Sequence, residues 1–285
     1  MFSPEPRPLP FRAIFAEQFR VTGFALVREA MLAAAALTAV CVIALLTAWR
    51  YDARLYLDRE LLMPTVVLAA LLPFAVWKGD RPFDRALLWT LPVPRQRAAL
   101  AKLSAGAVWM MIALLITCAA LALVALASGG GIGMTRSVMV EGVGGAIVRQ
   151  DWRAPAWMWL IPFVGALTLY VMGRAAVLGT RHPLRWFSGV GVGFGVMIAI
   201  ITSLASESAF ESFIENWVIR GDVGIDFALN AGEYTLSYWR RGAEGRFVQI
   251  WRELPDIGGW AVAASFWMGL ALTMLGLAFR RHWER

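Results

Sequence analysis

Few residues in this chain have the types and spacings that chemistry requires. Cys41 and Cys118 each sit deep in an apolar run, and no CxxC or Cys/His pattern accompanies them. They read as small buried hydrophobes, not as metal or redox ligands. The two histidines, His182 and His282, lie at the margins of apolar runs. There they are out of reach of a nucleophile buried inside one. No H-E-x-x-H and no G-x-x-x-x-G-K-[ST] occurs, so the chain encodes neither a zinc-protease helix nor a P-loop. Glu207, Glu211 and Glu215 are spaced by four and so share one face of a helix. Three carboxylates on one face could hold a cation. Such charge runs are usually solvated faces, and that is the reading adopted for them.

The elements that must position these residues are apolar helices. Of 285 residues, 59% are apolar and 16% charged, against about 25% charged in a typical soluble domain. Six stretches without Asp, Glu, Lys or Arg are long enough to cross a bilayer, which takes roughly 20 apolar residues. They are 30–49, 61–77, 103–135, 154–173, 186–206 and 257–279. The third is too long for one span, and Ser128-Gly129-Gly130-Gly131 ends it near Ala127. Pro64 and Pro155 stand near span starts, where a missing N–H is harmless. Pro73 and Pro162 are more interior and are expected to kink their helices. Trp49, Trp77, Trp157, Trp159, Trp186 and Trp260 lie at or near span ends, where indole prefers the headgroup region. Gly189, Gly191, Gly193 and Gly195 give span five small-xxx-small spacing, which suits close helix packing.

Orientation follows from the basic residues. With the N-terminus inside, segments 1–29, 78–102, 174–185 and 280–285 hold 16 of the 27 Lys/Arg, against 11 in 50–60, 128–153 and 207–256. The inner set has 6 acidic residues and the outer set 14. Both measures place the two termini in the cytoplasm. The net charge of +7 is spread among the ends of apolar runs, so it belongs to membrane topology and no nucleic-acid partner is expected. The polar leader and first apolar run are too long for a cleaved signal peptide.

Three connections carry structure of their own. Phe11, Ile14, Phe15, Phe19 and Thr22 recur near i, i+3, i+4, which predicts an amphipathic helix in the inner interface, turning into span one at Gly23. In the loop 78–102, residues 83–90 read as a short amphipathic helix after Pro82. Leu91-Pro92-Val93-Pro94 is an extended break that leads into the next helix, with Arg95, Arg97 and Lys102 at the headgroups or facing a partner. The outer segment 207–256 is long, and Tyr234 to Trp251 reads as a hairpin around Arg241-Gly242-Ala243-Glu244-Gly245.

On these residues the chain resembles the permease subunits of type-2 ATP-binding-cassette (ABC) exporters. That family has an interfacial elbow helix, six spans and a coupling helix in the first cytoplasmic loop. The loop closes with a leucine-proline pair, a small residue and a basic residue, as Leu91-Pro92-Val93-Pro94-Arg95 does. Where the family often has an acidic residue followed by Gly-Thr, this chain has Asp80-Arg81-Pro82-Phe83. The resemblance covers nearly the whole chain in topology and about 25 residues in motif.

It implies an all-α fold in which 1–285 is one transmembrane permease domain. Residues 1–29 would be the tail and elbow, 78–102 the coupling loop, and 207–256 an extracytoplasmic insertion. It implies a multi-pass protein of the cytoplasmic membrane with no catalysis of its own. ATP and magnesium would sit on a separate ABC ATPase subunit, with a second permease copy or a homologous permease completing the pathway in the lipid bilayer. The coupling residues would be Arg85, Trp89, Leu91, Pro92, Pro94, Arg95 and Arg97. The apolar spans favour a lipid-like or amphipathic solute over a small ion. Two other functions stay open. One is a membrane enzyme acting on lipid or glycan at the outer face through Glu207, Glu211 or Glu215. The other is a non-catalytic anchor that recruits partners through 207–256.

Overall fold

The computed structural model describes residues 10–77, 95–142, 144–180, 185, 221–241 and 247–283. The described chain is mostly helical. Among the described residues, four helices are long and apolar enough to cross a membrane: Val27–Arg50, Arg97–Ala127, Ala156–Gly179 and Ile257–Arg280. They correspond to the first, third, fourth and sixth expected spans. The fifth, 186–206, lies outside the described residues.

Helix α1 (Phe11–Ala25) starts after the extended Pro10. Its stripe Phe11, Phe15 and Phe19 stacks in a row at 6.5 and 6.1 Å. Helix α2 (Val27–Arg50) follows a joint at Leu26, not at the expected Gly23. Gly23 has another task, because a Cβ there would lie 2.7 Å from the Trp109 ring.

The second expected span is not one helix. After a 3-10 turn at Arg59–Leu62 come α3 (Met63–Ala69) and α4 (Leu72–Val76). Pro73 has no N–H for the Ala69 carbonyl, so the α ladder stops there. Ala70 and Leu71 instead donate to Val67 and Leu68, three residues back, at 3.2 and 3.0 Å. The break is locked by a neighbour: a Cβ at Gly173 would run into the Ala70 carbonyl oxygen.

Helix α5 (Arg95–Ala127) is 33 residues long, about 50 Å at 1.5 Å per residue. It ends where the glycine run predicts. Gly129 takes φ 74°, and Gly130 passes so close to Leu55 that no Cβ would fit. A 3-10 turn at Ala156–Trp159 leads into α6 (Leu160–Gly179). This is the most enclosed of the four long helices. Among the described residues, α7 (Ile225–Asn230) and α8 (Ile257–Trp283) are the remaining α-helices. The core joins α3, α5, α6 and α8 around Leu62, Val66, Leu114, Tyr170 and Leu275. By contrast α2 buries only Ala48.

The all-α expectation needs correction, because one end of the helical layer carries sheets. Strands β1 (Tyr56–Leu57) and β2 (Gly131–Ile132) pair in parallel. Strands β3 (Thr135–Glu141), β4 (Ile147–Arg153), β5 (Ser237–Arg241) and β6 (Phe247–Trp251) form a second sheet in the order β4-β3-β6-β5. The β5–β6 hairpin is the one expected from the sequence. The β3–β4 hairpin falls in a segment read only as a connection. The parallel contact between β3 and β6, Met139 to Ile250 and Val140 to Trp251, joins strands over a hundred residues apart. No local pattern announces such a pairing.

The sheets give the layer two ends. The C-terminal ends of α2 and α5 meet at β1–β2, while α6 and α8 begin just after β4 and β6. We call this the sheet side. Trp77, Arg97 and Gly179 lie at the other end, the loop side. The chain is again on the sheet side at α7, where the Trp260 indole donates to the Ala228 carbonyl at 3.3 Å.

Candidate functional site

Of the residues expected to couple to a partner, Arg85, Trp89, Leu91, Pro92 and Pro94 lie outside the described residues. Arg95 opens α5, and Arg97, two residues on at the loop-side end of that helix, is exposed. Glu207, Glu211, Glu215 and His182 also lie outside the described residues.

The structure does describe the seat from which segment 78–94 departs. Trp77 closes α4 and is buried. The Arg174 guanidinium carbon lies 3.3 Å from the centroid of its ring, and the Lys102 ammonium 4.2 Å. Arg174 is fully buried and Lys102 is 5% exposed. Lys102 is therefore not at the headgroups or facing a partner, as its position in the sequence suggested. It turns inward because an indole face attracts cations, by about 2 kcal/mol or more when water is excluded. Both cations make contacts besides this ring.

An apolar cluster lies beside this group. Leu26, Val76, Trp77 and Val177 are buried together, with Phe74 and Trp109 against them. Leu26 is the joint between α1 and α2. Trp109 of α5 stacks on Phe19 at 4.7 Å with the rings 10° apart, and its indole N–H donates to the Phe19 carbonyl at 3.0 Å. Helix α1, the end of α4, and the loop-side parts of α5 and α6 thus meet at one place. In the sequence the only signals were charges next to long apolar runs, with nothing to show that two of them fold inward.

A second polar cluster is on the sheet side. Buried Arg59 donates to the Asn230 carbonyl at 3.2 Å and pairs with Glu233 at 3.5 Å. Arg136 of β3 pairs with Asp58 and with Glu60, the latter at 3.7 Å. Buried Asp226 accepts from the Asn230 amide, the Tyr234 and Thr235 backbone N–H groups and the Thr235 hydroxyl, at 2.9–3.2 Å. That carboxylate folds residues 226–235 into a turn, with Ala231 and Gly232 left-handed at φ 57° and 77°. Burial pushes the Glu233 carboxyl up. Glu60 and Asp226 add to this, and Arg59 and Arg136 oppose it.

Chemically, the described part of this cluster is a structural knot. Its carboxylates are taken up by arginines and backbone donors, and no group of three metal-ligating residues occurs among the described residues. Sequence reading missed it because Arg59 and Glu233 are 174 residues apart.

Fold and sites together define a helical membrane protein with a polar, strand-bearing cap on one side. No protein-family model, curated protein or solved structure matches the chain.

Proposed function

We propose that the chain is the transmembrane permease subunit of an ATP-driven ABC exporter. It would have six spans, both termini in the cytoplasm, and a position in the cytoplasmic membrane. A separate ABC ATPase would carry ATP and magnesium. A second permease, identical or homologous, would complete the pathway. One observation carries the reading: Trp77 at the end of α4, Lys102 of α5, Arg174 of α6 and Leu26 at the joint of α1 and α2 gather where the chain enters segment 78–94. A push delivered to that segment would reach α5 and α6 together through this seat, as rigid-body rocking of the spans requires. Arg85, Trp89, Leu91, Pro92, Pro94, Arg95 and Arg97 would contact the ATPase, and the solute would be lipid-like or amphipathic.

The test is purification of the tagged chain from its native membrane in mild detergent, with mass spectrometry of what accompanies it. A stoichiometric soluble ATPase is expected. Arg95→Glu with Arg97→Glu should release it or abolish transport-linked ATP turnover. An intact complex with normal turnover in that variant would count against the proposed coupling site. Absence of an ATPase even after crosslinking would overturn the reading in favour of an enzyme acting through Glu207, Glu211 or Glu215.

A further inference from the structure

We propose that the open edge of β4 pairs with β4 of a second copy of this chain, antiparallel about a twofold axis, so that the two sheets run on as one. The pairing does not rest on the exporter reading, since the edge would serve whatever the chain carries. Strand β4 is an outer strand in the order β4-β3-β6-β5. Its pairing with β3 is unbroken from Thr135–Arg153 to Glu141–Ile147. Across the hairpin the Gly142 N–H donates to the Ala146 carbonyl, and an antiparallel ladder alternates from such a pair. The N–H and C=O groups of Val148, Gln150 and Trp152 therefore turn to β3. Those of Ile147, Arg149, Asp151 and Arg153 turn to the open edge. Natural sheets blunt such an edge with proline, a bulge or a cover. Strand β4 has neither proline nor bulge, and all of its residues except Trp152 are exposed.

The charges on that edge decide the partner. Arg149, Asp151 and Arg153 share one face and alternate in sign. Antiparallel pairing centred on Gln150 sets Arg149 of each copy opposite Asp151 of the other, Val148 opposite Trp152, and Ile147 opposite Arg153. Every outward N–H and C=O of β4 then has a partner. Opposite charges and aromatic with β-branched residues are favoured cross-strand pairs. A slip of two residues one way sets Arg149 opposite Arg149. A slip the other way sets Asp151 opposite Asp151 and Arg149 opposite Arg153. Like charges reject both slips, so the register is specified. Arg149 spends its Nε on the Ser137 hydroxyl, and among the described residues none pairs with the Asp151 carboxylate. The strand carries its own complement, which an unrelated peptide need not.

A membrane admits this pairing in one orientation only, and the sheet has it. Two copies inserted in the same sense must be related by an axis along the membrane normal. The twofold axis of an antiparallel strand pair stands perpendicular to the sheet. Val148, Gln150 and Trp152 share the face of β4 that looks onto the spans. Trp152 lies 6.0 Å from Trp251 and packs on the group of Met158, Ile161 and Trp260 at the starts of α6 and α8. The sheet thus lies across the span ends, and its perpendicular runs along the spans. Only Ala154 and Pro155 separate β4 from the helical turn at Ala156, so joined edges would hold two bundles side by side.

The experiment uses the full chain with Cys41→Ala and Cys118→Ala, in its native membrane, carrying one new cysteine. Gln150 meets Gln150 of the other copy in a pair whose Cα atoms lie about 4.5 Å apart, within reach of a disulfide. Val148 is displaced from Val148 of the other copy by four residues along the strand, about 14 Å. Mild oxidation should convert Gln150→Cys to a covalent dimer and leave Val148→Cys monomeric. Adding Arg149→Asp alone or Asp151→Arg alone to Gln150→Cys should deplete the dimer, and adding both should restore it. A Gln150→Cys chain that stays monomeric while its thiol still reacts with maleimide would overturn the proposal. So would equal yields from the two cysteines, which mark chance collision. A yield indifferent to charge reversal, or a loss that the double exchange does not reverse, would overturn it as well.

Discussion

Glu233 shows how little a short distance says about the sign of an interaction. It pairs with Arg59 at 3.5 Å, yet burial and the neighbouring Glu60 and Asp226 hold its carboxyl above the usual range against Arg59 and Arg136. The folded chain therefore binds this proton more tightly than the unfolded chain. Stability from it is present below the unfolded value, about 4.3, and is lost as pH rises through the raised folded value. Glu233→Gln should unfold at a higher temperature than the parent at neutral pH, and the gap should close towards about pH 4. A variant less stable at neutral pH would show that the Arg59 pair outweighs burial.

Two glycines give a matched pair of tests at the same scale. Gly173 receives the Ala70 carbonyl, whereas Gly269 of α8 has nothing within 4 Å of where a Cβ would be. Gly173→Ala should cost about 1–3 kcal/mol through overpacking. Gly269→Ala should be neutral or gain up to about 1 kcal/mol from helix propensity. Thermal unfolding in detergent separates the two.

Among the elements, α3 and α4 depart most from their sequence. An apolar run of span length predicts a continuous helix, and Pro73 predicts a kink within it. Whether that kink becomes a full break depends on what faces it. Here Gly173 on α6 leaves the Ala70 carbonyl space that any other residue would fill. The end of α4 is then fixed by Trp77 beneath two buried cations. Trp77→Leu should lower stability by about 2 kcal/mol or more. It should also speed amide exchange at the loop-side ends of α5 and α6, read by exchange mass spectrometry. Trp77→Phe, which keeps a ring face, should fall between. Unchanged exchange in Trp77→Leu would mean that the ring does not clamp these helices.

At the scale of the molecule, the helical layer has a loop side and a sheet side. Single cysteines at Arg97 and Val148, both exposed positions, should react with a membrane-impermeant maleimide from opposite faces of sealed vesicles. The bias in basic residues predicts that the residue 97 label is cytoplasmic. Labelling of both from one face would break the topology drawn from α5 and the sheet.

The sequence by itself determined the class of protein, four of the long helices, the end of α5 at its glycine run and the β5–β6 hairpin. These are local matters. A run of apolar residues must be helical in lipid, since no water is there to satisfy its backbone, and glycine permits the left-handed residue that stops a helix. Only the tertiary structure decided the rest. It turned Lys102 and Arg174 inward onto Trp77, broke the apolar run 61–77 against Gly173, paired β3 with β6, and joined Arg59 to Glu233. Each of these depends on groups far apart in sequence meeting at a few ångströms, where burial and charge act together. Periodicity along a chain does not carry that information.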